Sequence, residues 1–564
     1  MTEETKPKLS PAEKVKAESR YLRGTIAETL AGGATHFSGE ESQLLKTHGT
    51  YQQDDRDLRQ KLLAEKKEPA YSMMVRLKIP GGIMTSGQYL AYDEFANTYG
   101  SGHMRFTTRQ GIQYHGVLKK NLKGLIAAVN KKLGTTQGAC GDVVRNVMAC
   151  PAPFADRKNA EIIQWAKKVS DQFLAKGGAY QELWLNGEKV SEIPENPEPI
   201  YGKTYLPRKF KIAIAFHDDN CTDIYSNDLG IAADMEGGKL KGFHIVVGGG
   251  FGSTHNVKDT YLRIATPLCY VKPEELLGVS KAIVMVQRDF GNRADRKRAR
   301  MKYLIDSKGM DWFREEVEKH FGKKLEPHRP IHWQGIHNHL GWHEEGNGKW
   351  FLGLPVENGR VKDVDGVKFK SGLRAFVEKF HPANIFITAQ QDVLFSGFQE
   401  SQKKEAESLL KSYGIKLPQE LSLVRKDAMA CPALPTCGLA ISESERVLPA
   451  VIDEIEKDIQ KLGLGDQRIM IRMTGCPNGC ARPYNVEIGL VGRSIGTYNI
   501  NLGGNLIGDR LNHVYAEKVP LTGLAAALLP LFKIYKKERQ AKEGFGDFCQ
   551  RVGLEYLKKA AIEH

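Results

Sequence analysis

The sequence has no hydrophobic run long enough to cross a membrane. Its longest apolar stretch, GLAAALLPLF at 523–532, is about half as long as a bilayer-spanning helix and contains Pro530. The opening MTEETKPKLSPAEKVKAESRY is polar and has no apolar segment of the secretory type. From these two absences we expect a cytoplasmic protein.

Cysteine is scarce, and its number is odd: the 564 residues include nine cysteines. In a large chain without a secretory segment this argues against a disulfide framework and favours metal or cofactor binding. The sequence also has no zinc-finger, RNP, flavin or nucleotide signature. Its one dense basic run, RADRKRARMKY at 293–303, is more typical of a solvated helix face than of a nucleic-acid site.

Charge is strongly unbalanced, with 81 lysines and arginines against 67 acidic residues and a formal net charge of +14. Such an excess favours an acidic protein partner or an anionic ligand. Since no nucleic-acid module is recognisable, we do not expect nucleic acid as a partner.

A pentamer, Met-Ala-Cys-Pro-Ala, occurs twice, at 148–152 and 429–433, which are 281 positions apart. At the same offset RFTTRQGIQYHG, from Arg105, aligns with FITAQQDVLFSG, from Phe386. Chance is the alternative for one pentamer, but two segments at one offset favour a duplication. The period is too long for a solenoid. We therefore predict two related halves around a pseudo-twofold axis, with a site between them.

The strand and helix pattern predicts an α+β protein in four parts. Residues 1–70 are predicted as an N-terminal arm with a helix or two and no clear strand. Residues 71–139 and 331–417 each repeat the order strand, helix, strand, helix. Residues 140–330 and 418–564 alternate helices with strands, and GFHIVVGGGFG in the first is echoed by YNINLGGNLIG in the second.

Four cysteines fall in two short motifs, CPALPTC (Cys431, Cys437) and GCPNGC (Cys476, Cys480). The first spacing exceeds that of the usual zinc knuckle, whereas four thiolates are what a [4Fe–4S] cluster needs. Zinc and plain buried thiols are the alternatives. Cys150 lies in the first pentamer without such partners, and we interpret it as a relic or a core thiol.

The segment after Cys437 predicts an amphipathic helix. In SESERVLPAVIDEIEKDIQKL, Ser442 and Glu445 have the spacing of a capping box. The predicted core stripe is Leu448, Val451, Ile452, Ile455, Ile459 and Leu462.

Basic side chains recur at alternate positions of predicted strands, and alternate positions share a sheet face. The strand HMRFTTRQGIQYHG carries Arg105, Thr107, Arg109, Gln113 and His115; MMVRLKIP carries Arg76 and Lys78; LPRKFKIAI carries Lys209 and Lys211; and Arg145 precedes the first pentamer. Solvated sheet faces are the alternative for any one pair. Together they predict a cationic chamber for a polyanionic cofactor or a small dianion, in which lysines with lowered pKa can donate protons.

Four segments, TTRQGIQYHG, LPRKFK, MACPALPTC and TGCPNGCARP, together resemble the sirohaem sulfite/nitrite reductase family, and most of all its assimilatory branch. The resemblance runs from about Tyr21 to EGFGDFC near the end of the chain. It implies a duplicated pseudo-twofold fold of ferredoxin-like half-domains (71–139 with 331–417) and two mixed α/β domains. Of these, 140–330 would bind sirohaem and the anion, and 418–564 would hold the cluster and bind sirohaem.

The resemblance also implies the roles of single residues. A [4Fe–4S] cluster would be held by Cys431, Cys437, Cys476 and Cys480, and the Cys480 thiolate would also ligate the sirohaem iron. Sirohaem, which has eight carboxylates, would be bound by Arg105, Thr107, Arg109, Gln113 and His115. The substrate anion would be bound by Arg76 and Arg145, and protons would be delivered by Lys209 and Lys211 together with ordered water.

The implied activity is the six-electron reduction of sulfite to sulfide for cysteine biosynthesis. The family's nitrite reductases, which make ammonia, typically have asparagine at the second lysine of RKFK, so Lys211 favours sulfite. A non-catalytic iron–sulfur or zinc protein that binds an anion or nucleic acid is the competing class. The donor would be an NADPH-dependent flavoprotein or ferredoxin or flavodoxin. Some ferredoxin-type members crosslink a tyrosine to a cysteine, and the matching positions here are Tyr51 and Cys140.

Overall fold

The computed structural model describes residues 9–155, 157–176 and 198–563, and the backbone of a strand pair at 184–185 and 188–189. Its strands are β1 (Thr50–Asp54), β2 (Tyr71–Arg76), β3 (Ile83–Met84), β4 (Met104–Phe106), β5 (Ile112–Val117), β6 (Met148–Ala149), β7 (Trp184–Leu185), β8 (Glu188–Lys189), β9 (Ile212–Ala215), β10 (Leu229–Glu236), β11 (Lys239–Val247), β12 (Thr266–Val271), β13 (Gly341–Glu344), β14 (Trp350–Leu354), β15 (Arg360–Val361), β16 (Asp363–Val364), β17 (Val367–Lys368), β18 (Ile385–Ile387), β19 (Val393–Phe398), β20 (Met429–Ala430), β21 (Ile471–Thr474), β22 (Ile488–Ser494), β23 (Thr497–Leu502) and β24 (His513–Pro520).

The helices cover the sheet faces. They are α1 (Pro11–Glu18), α2 (Ile26–Ala31), α3 (Gly39–Leu45), α4 (Arg56–Ala64), α5 (Ser86–Tyr99), α6 (Lys119–Lys131), α7 (Asn159–Gln172), α8 (Leu276–Phe290), α9 (Met301–Lys308), α10 (Met310–Phe321), α11 (Phe369–Phe380), α12 (Lys403–Ser412), α13 (Leu423–Asp427), α14 (Leu448–Lys461), α15 (Leu524–Glu538), α16 (Phe545–Val552) and α17 (Leu554–Ala560). Across the described ranges, none of them combines the length and the apolarity that a bilayer crossing requires.

The first pair of sheets confirms the predicted duplication. One five-stranded sheet has the order β1-β2-β5-β4-β15, and the other has the order β13-β14-β19-β18-β3. Each sheet ends on a two-residue strand from the other half, because β15 pairs with β4 and β3 pairs with β18. The halves are therefore joined by exchanged edge strands as well as by side-chain packing.

Matching glutamines reinforce that junction. Gln110 Nε2 donates to the carbonyl of Ile387 at 3.0 Å, and Gln391 Nε2 donates to the carbonyl of Phe106 at 3.3 Å. Both glutamines have positive φ, 53° and 78°, in the turns that join β4 to β5 and β18 to β19. Since each side chain bonds the backbone of the opposite half, the two turns lock each other in place.

A second pair of sheets also shows the duplication, because the two sheets have matching strand orders. Their orders are β12-β11-β10-β9-β6 and β24-β23-β22-β21-β20. In each sheet, the first three strands along the chain are parallel to one another, and each of the last two strands pairs antiparallel with the strand before it. The repeated pentamer begins with the matching edge strands β6 and β20, and the glycine-rich echo follows the matching strands β11 and β23.

The predicted arm is more integrated than the sequence suggested. The expectation of no strand in 1–70 is wrong at β1, which pairs along its full length with β2 at the sheet edge. Its sequence TYQQD is mostly polar because an edge strand is only half buried here. Glu13 and Lys16 of α1 are both buried and form an ion pair, so the arm packs firmly against the body.

The predicted helix after Cys437 exists, but its start differs from the prediction. Helix α14 begins at Leu448, with a proline in its first turn, and no side chain caps it. The capping box is therefore wrong: the Ser442 hydroxyl accepts from the Gly496 amide, and Glu445 forms ion pairs elsewhere. The predicted stripe is confirmed from Leu448 to Ile459, and Leu462 lies just past the helix end.

Candidate functional site

The four motif cysteines gather at the ends of two neighbouring parallel strands. Cys431 directly follows β20, and Cys476 lies two residues after β21. Because β20 and β21 run parallel, their carboxyl ends meet at one edge of the sheet. Cys437 and Cys480 follow on the same two loops, and Cys480 is the exposed member of the set.

Backbone amides surround these sulfurs. The amides of Gly475, Asn478 and Leu439 approach Cys431, Cys476 and Cys437 respectively, and Asn478 Nδ2 donates to Cys476 Sγ at 3.5 Å. Burial, and then the charge of Cys480, raise the pKa of Cys476 to about 11. Such thiols ionise when a cation offsets the burial, and N–H donors to sulfur are typical around iron–sulfur clusters.

The spacing of the sulfurs bears on the zinc alternative. Four thiolates on one zinc ion stand about 3.8 Å apart, given a Zn–S distance of about 2.3 Å. Among the residues that the structure describes, no three of these four thiols lie within 4.8 Å of one another. This spacing does not favour a single zinc ion, whereas four thiolates are the ligand set of a four-iron cluster.

The segment 103–116 is a hairpin rather than one strand, which corrects the alternation argument used for its side chains. Thr107 Oγ1 accepts the amides of Arg109 and Gly111, at 3.3 and 3.1 Å, and this turn separates β4 from β5. Arg109 is therefore a turn residue. Arg105 and Gln113 do share a face, because they are directly paired across the hairpin. Thr108 Oγ1 donates to the Cys480 carbonyl at 3.1 Å, so the turn touches the cysteine loop.

Arg76 and Arg145 lie side by side near Tyr51 and Cys140. Arg76 NH1 donates to Cys140 Sγ at 2.9 Å, and Arg145 NH2 donates to the Tyr51 hydroxyl at 3.3 Å. Gln113, with its amide oxygen turned toward Arg76, accepts from Arg76 Nε at 3.2 Å. Strands β1, β2 and β5 thus bring together two arginines that are 69 positions apart in the sequence.

Lys209 and Lys211 lie just before β9, among further cations. Burial and then the neighbouring charges of Lys211, Arg208 and Arg145 hold the pKa of Lys209 well below its ordinary value. For Lys211 the causes are burial and then Arg109 and Arg300, while Cys480 opposes them. The charges of the turn arginine and of the cysteine loop therefore both act on Lys211.

Within the described residues, these cations have no carboxylate partners. In the described ranges, no ion pair involves the five side chains of the chamber: Arg76, Arg109, Arg145, Lys209 and Lys211. Arg109 has an amide partner, since Asn227 Oδ1 accepts from its NH2 at 2.5 Å. All five side chains are half-buried, and partly desolvated charges without counter-ions are unfavourable, so this cluster of cations favours an anionic occupant. The cluster is consistent with the cationic site expected from the sequence, and the roles of its residues stay predictions.

The other predicted cofactor residues differ in their surroundings. Arg105 is almost fully buried and is neutralised by Glu445, at 3.0 Å, so it differs from Arg109. His115 is buried beside it, and neither ring nitrogen has a hydrogen-bond partner in the structure. Burial and then Arg360 and Arg105 hold the pKa of His115 well below its ordinary value, which keeps the ring neutral.

Sequence reasoning missed several residues that support the site. Glu445 was assigned to a helix cap, yet it joins Arg105 and Arg360. Asn227 and Arg56 were not singled out; Asn227 positions Arg109, and Arg56 donates to the carbonyls of Cys437 and Ala440. None of them belongs to a motif. Their partners lie 85 to 384 positions away along the chain, which only the fold reveals.

Removing Glu445 is expected to destabilise the protein. Glu445→Ala leaves Arg105 buried with only the Ala430 carbonyl as a partner, which costs about 3–5 kcal/mol of unfolding free energy. Urea unfolding followed by tryptophan fluorescence measures it. The matched control is Glu443→Ala, which removes a neighbouring carboxylate paired with the more exposed Arg446 and costs at most about 1 kcal/mol. Equal losses for both variants would contradict this account of Glu445.

Comparison with known proteins places this arrangement in a family. The protein-family model described as "Nitrite/Sulfite reductase ferredoxin-like half domain" matches residues 65–132 and 343–413. The model described as "Nitrite and sulphite reductase 4Fe-4S domain" matches residues 164–325. The second match includes strands β9 to β12, which belong to one sheet of the second pair. The other sheet of that pair, β24-β23-β22-β21-β20, carries the loops with the four motif cysteines.

Curated relatives match almost end to end. The "Sulfite reductase [NADPH] hemoprotein beta-component" of Staphylococcus saprophyticus is 46% identical over 97% of this chain and 96% of its own length. A protein of the same name from Myxococcus xanthus is 43% identical, with 98% of each chain covered. The "Sulfite reductase [ferredoxin]" of Synechococcus elongatus is also 43% identical, over 98% of this chain and 91% of its own.

A solved structure shows the same fold. The NirA protein of Mycobacterium tuberculosis superposes with a TM-score of 0.80 over 98% of each chain, at 20% sequence identity. This chain therefore shares its overall fold with that structure. With relatives at 43–46% identity along nearly its whole length, this chain belongs to the sulfite/nitrite reductase family.

Proposed function

We propose that this protein reduces sulfite to sulfide, by six electrons, at a sirohaem that the Cys480 thiolate joins to a [4Fe–4S] cluster. One observation carries the proposal: a cluster of cations that have no carboxylate partners in the described part of the chain lies near the loop of Cys480, the one exposed motif cysteine. A non-catalytic iron–sulfur protein has no use for such a chamber. The names of the curated relatives support the same activity.

The residues present fit both groups. The four cysteine thiols, with their amide donors, would hold the cluster. The carboxylates of sirohaem would be met by Arg109, which has no carboxylate partner among the described residues. Thr107, Gln113, His115 and Arg105 lie on the same hairpin and would line the cofactor, although Arg105 is already neutralised by Glu445. When bound, the coupled centre supplies electrons to the substrate sulfur. Everything else in the reaction depends on anion binding and proton supply by the chain.

Arg76 and Arg145 would bind the oxygens of sulfite, since guanidinium groups form paired hydrogen bonds with oxyanions. Each of the three oxygens leaves as water, so protons must be delivered to them. Lys209 and Lys211 suit that task, because burial and neighbouring cations lower the pKa of both ammonium groups and make them better acids. Loss of a proton also relieves the crowding of positive charge.

Lys211 supports sulfite over nitrite as the preferred substrate. Sulfite is a dianion and nitrite a monoanion, and a second lysine adds attraction that grows with the charge of the ligand. Turnover on nitrite as a side reaction is expected from the shared chemistry.

The electron donor is a separate protein. Relatives of both the NADPH type and the ferredoxin type cover nearly the whole chain. We favour a small acidic carrier such as ferredoxin or flavodoxin, because the net charge of +14 attracts acidic partners. An NADPH-dependent flavoprotein is the alternative, and assays with each donor decide. The cytoplasmic location expected from the sequence stays a prediction.

Turnover with a chemical reductant tests the activity directly. Holoprotein from a host that makes sirohaem is mixed with reduced viologen and sulfite, and sulfide and oxidised viologen are counted. The proposal requires about six electrons for each sulfide. Nitrite reduction with no sulfide formation would overturn it and favour the nitrite alternative.

The Tyr51–Cys140 crosslink remains a hypothesis from the resemblance, and the surroundings of the two residues support it. Their polar atoms are held by the neighbouring Arg145 and Arg76. Formation of a ring carbon–sulfur bond removes two hydrogens and two electrons, which a cellular oxidant such as dioxygen would accept. We expect the intact mass to fall by about two hydrogens. The deficit should vanish in Tyr51→Phe and in Cys140→Ala, and an unmodified wild-type mass would refute the crosslink.

A further inference from the structure

Four buried side chains outside the motif cysteines form a second constellation of metal-ligating groups. They are Cys150, Asp219, Cys221 and His339, and one ligand atom from each lies within 4.8 Å of all the others. We propose that these four residues bind a single zinc ion, separate from the iron cofactors. None of the four belongs to the predicted active site.

The distances match tetrahedral coordination. Zinc bonds of about 2.0–2.3 Å place neighbouring ligand atoms about 3.3–3.8 Å apart. Cys150 Sγ is 3.8 Å from His339 Nε2 and 4.0 Å from Asp219 Oδ2. His339 Nε2 and Asp219 Oδ2 are 3.1 Å apart. These three atoms thus need to move by only a few tenths of an ångström to surround one ion, and the ligand atom of Cys221 lies within 4.8 Å of each of them.

The surrounding hydrogen bonds aim the ligands at a common centre. Asp219 Oδ1 accepts the amides of Cys221 and His337, both at 3.0 Å, which leaves Oδ2 turned toward the other three groups. Asn159 Nδ2 donates to Cys150 Sγ at 3.7 Å, and Gln390 Nε2 donates to the Cys221 carbonyl at 2.7 Å. Partners of this kind orient ligands in metal sites.

The duplication supplies an independent argument. Cys150 directly follows β6, as Cys431 follows its counterpart β20. Cys221 lies six residues after β9, and Cys480 lies six residues after its counterpart β21. Two positions that hold the cluster in one half are therefore cysteines in the other half as well. His339 and Asp219 complete a smaller set of four, which suits one ion rather than four irons.

Chemistry favours zinc over simpler explanations. A disulfide between Cys150 and Cys221 needs neither the imidazole nor the carboxylate, and a histidine–aspartate ion pair needs neither thiol. Two thiolates and a carboxylate carry three negative charges, which are costly when buried, and a divalent cation offsets two of them. The charges of Arg468 and Arg482 also act on Asp219 and Cys221, although each arginine is paired with another carboxylate, Asp427 and Asp223 respectively. Mixed sulfur and nitrogen ligation suits zinc.

The test measures zinc in holoprotein whose iron content is full, so that vacant cluster thiols cannot bind it. After gel filtration with a chelator, we expect about one zinc per chain in the wild type and below about 0.2 in Cys221→Ser and in His339→Gln. The matched control is Cys549→Ala, which removes a buried thiol in α16 and should retain zinc. X-ray absorption at the zinc edge should show two sulfur ligands at about 2.3 Å.

Three results would contradict the zinc proposal. Wild-type holoprotein without zinc, after expression in zinc-supplemented medium, would overturn the proposal. So would zinc that persists in both ligand variants, or thiol titration that shows a Cys150–Cys221 disulfide. If Cys221→Ser does not fold, Asp219→Asn and His339→Gln carry the test. The result is independent of sulfite turnover, because zinc is counted whether or not the holoprotein is active.

Discussion

Replacement of Cys480 by serine is expected to abolish sulfide formation. A serine hydroxyl does not provide the thiolate that would bridge the two iron cofactors. Changes to residues that only orient ligands typically cost 10–100-fold, so loss of a ligand should cost at least about 100-fold. Iron content should fall with the activity, because three cysteines hold a four-iron cluster poorly. Iron analysis, visible absorption and sulfide production measure the three effects.

The control for Cys480→Ser is Cys549→Ala, because Cys549 is a free thiol far from the motif loops in sequence. It should keep its iron and its activity. Wild-type turnover in Cys480→Ser would contradict the assignment of Cys480. So would a variant that loses activity but keeps the complete spectrum of coupled cofactors.

The second large effect is expected at Lys211. Lys211→Met removes a proton donor and a positive charge, and general acid catalysis typically contributes about 10²–10⁴-fold. We therefore expect kcat for sulfite to fall by about 10²-fold or more, and the same for Lys209→Met. Lys203→Met is the matched control, since Lys203 is exposed on the same loop and should leave kcat unchanged. Equal losses in all three variants would show a general effect of charge instead.

The lowered pKa values of these lysines also fix the direction of the pH dependence. A lysine with a lowered pKa loses its proton at a lower pH than an ordinary lysine, which titrates near 10.4. Activity that depends on the ammonium form is therefore present at low pH and declines as pH rises through the lowered pKa. The alkaline limb of kcat/KM should lie below pH 10 and move upward in Lys211→Arg. A limb that does not move would remove Lys211 from the proton pathway.

The fold was predictable where local patterns repeat. The pentamer and the hairpin segments share one offset, and the structure places them at matching positions of two pairs of sheets. The exchanged strands β3 and β15 could not be predicted, since two-residue strands have no recognisable periodicity. Strand β1 escaped notice for a related reason: as a half-buried edge strand it is mostly polar. The four-part division of the chain remains our proposal.

Those parts of the candidate site that lie in local sequence motifs could be predicted from the sequence. The cysteine motifs and the arginine and lysine pairs are local, and each can be read directly. Glu445 shows the limit, because its spacing from Ser442 suggested a helix cap while its true partner is Arg105, 340 positions away. Cys150 shows it again: alone in sequence it resembles a relic, yet folding brings Asp219, Cys221 and His339 around it.

The central claim is that one chamber couples sirohaem, the cluster and sulfite, and a visible absorption spectrum tests it most directly. Protein purified from a host that makes sirohaem is recorded alone, then with reductant, and then with sulfite. We predict a Soret-type band and a red-region sirohaem band, both of which shift when sulfite is added. A broad iron–sulfur shoulder with no macrocycle bands would contradict the claim and favour a non-catalytic iron–sulfur protein.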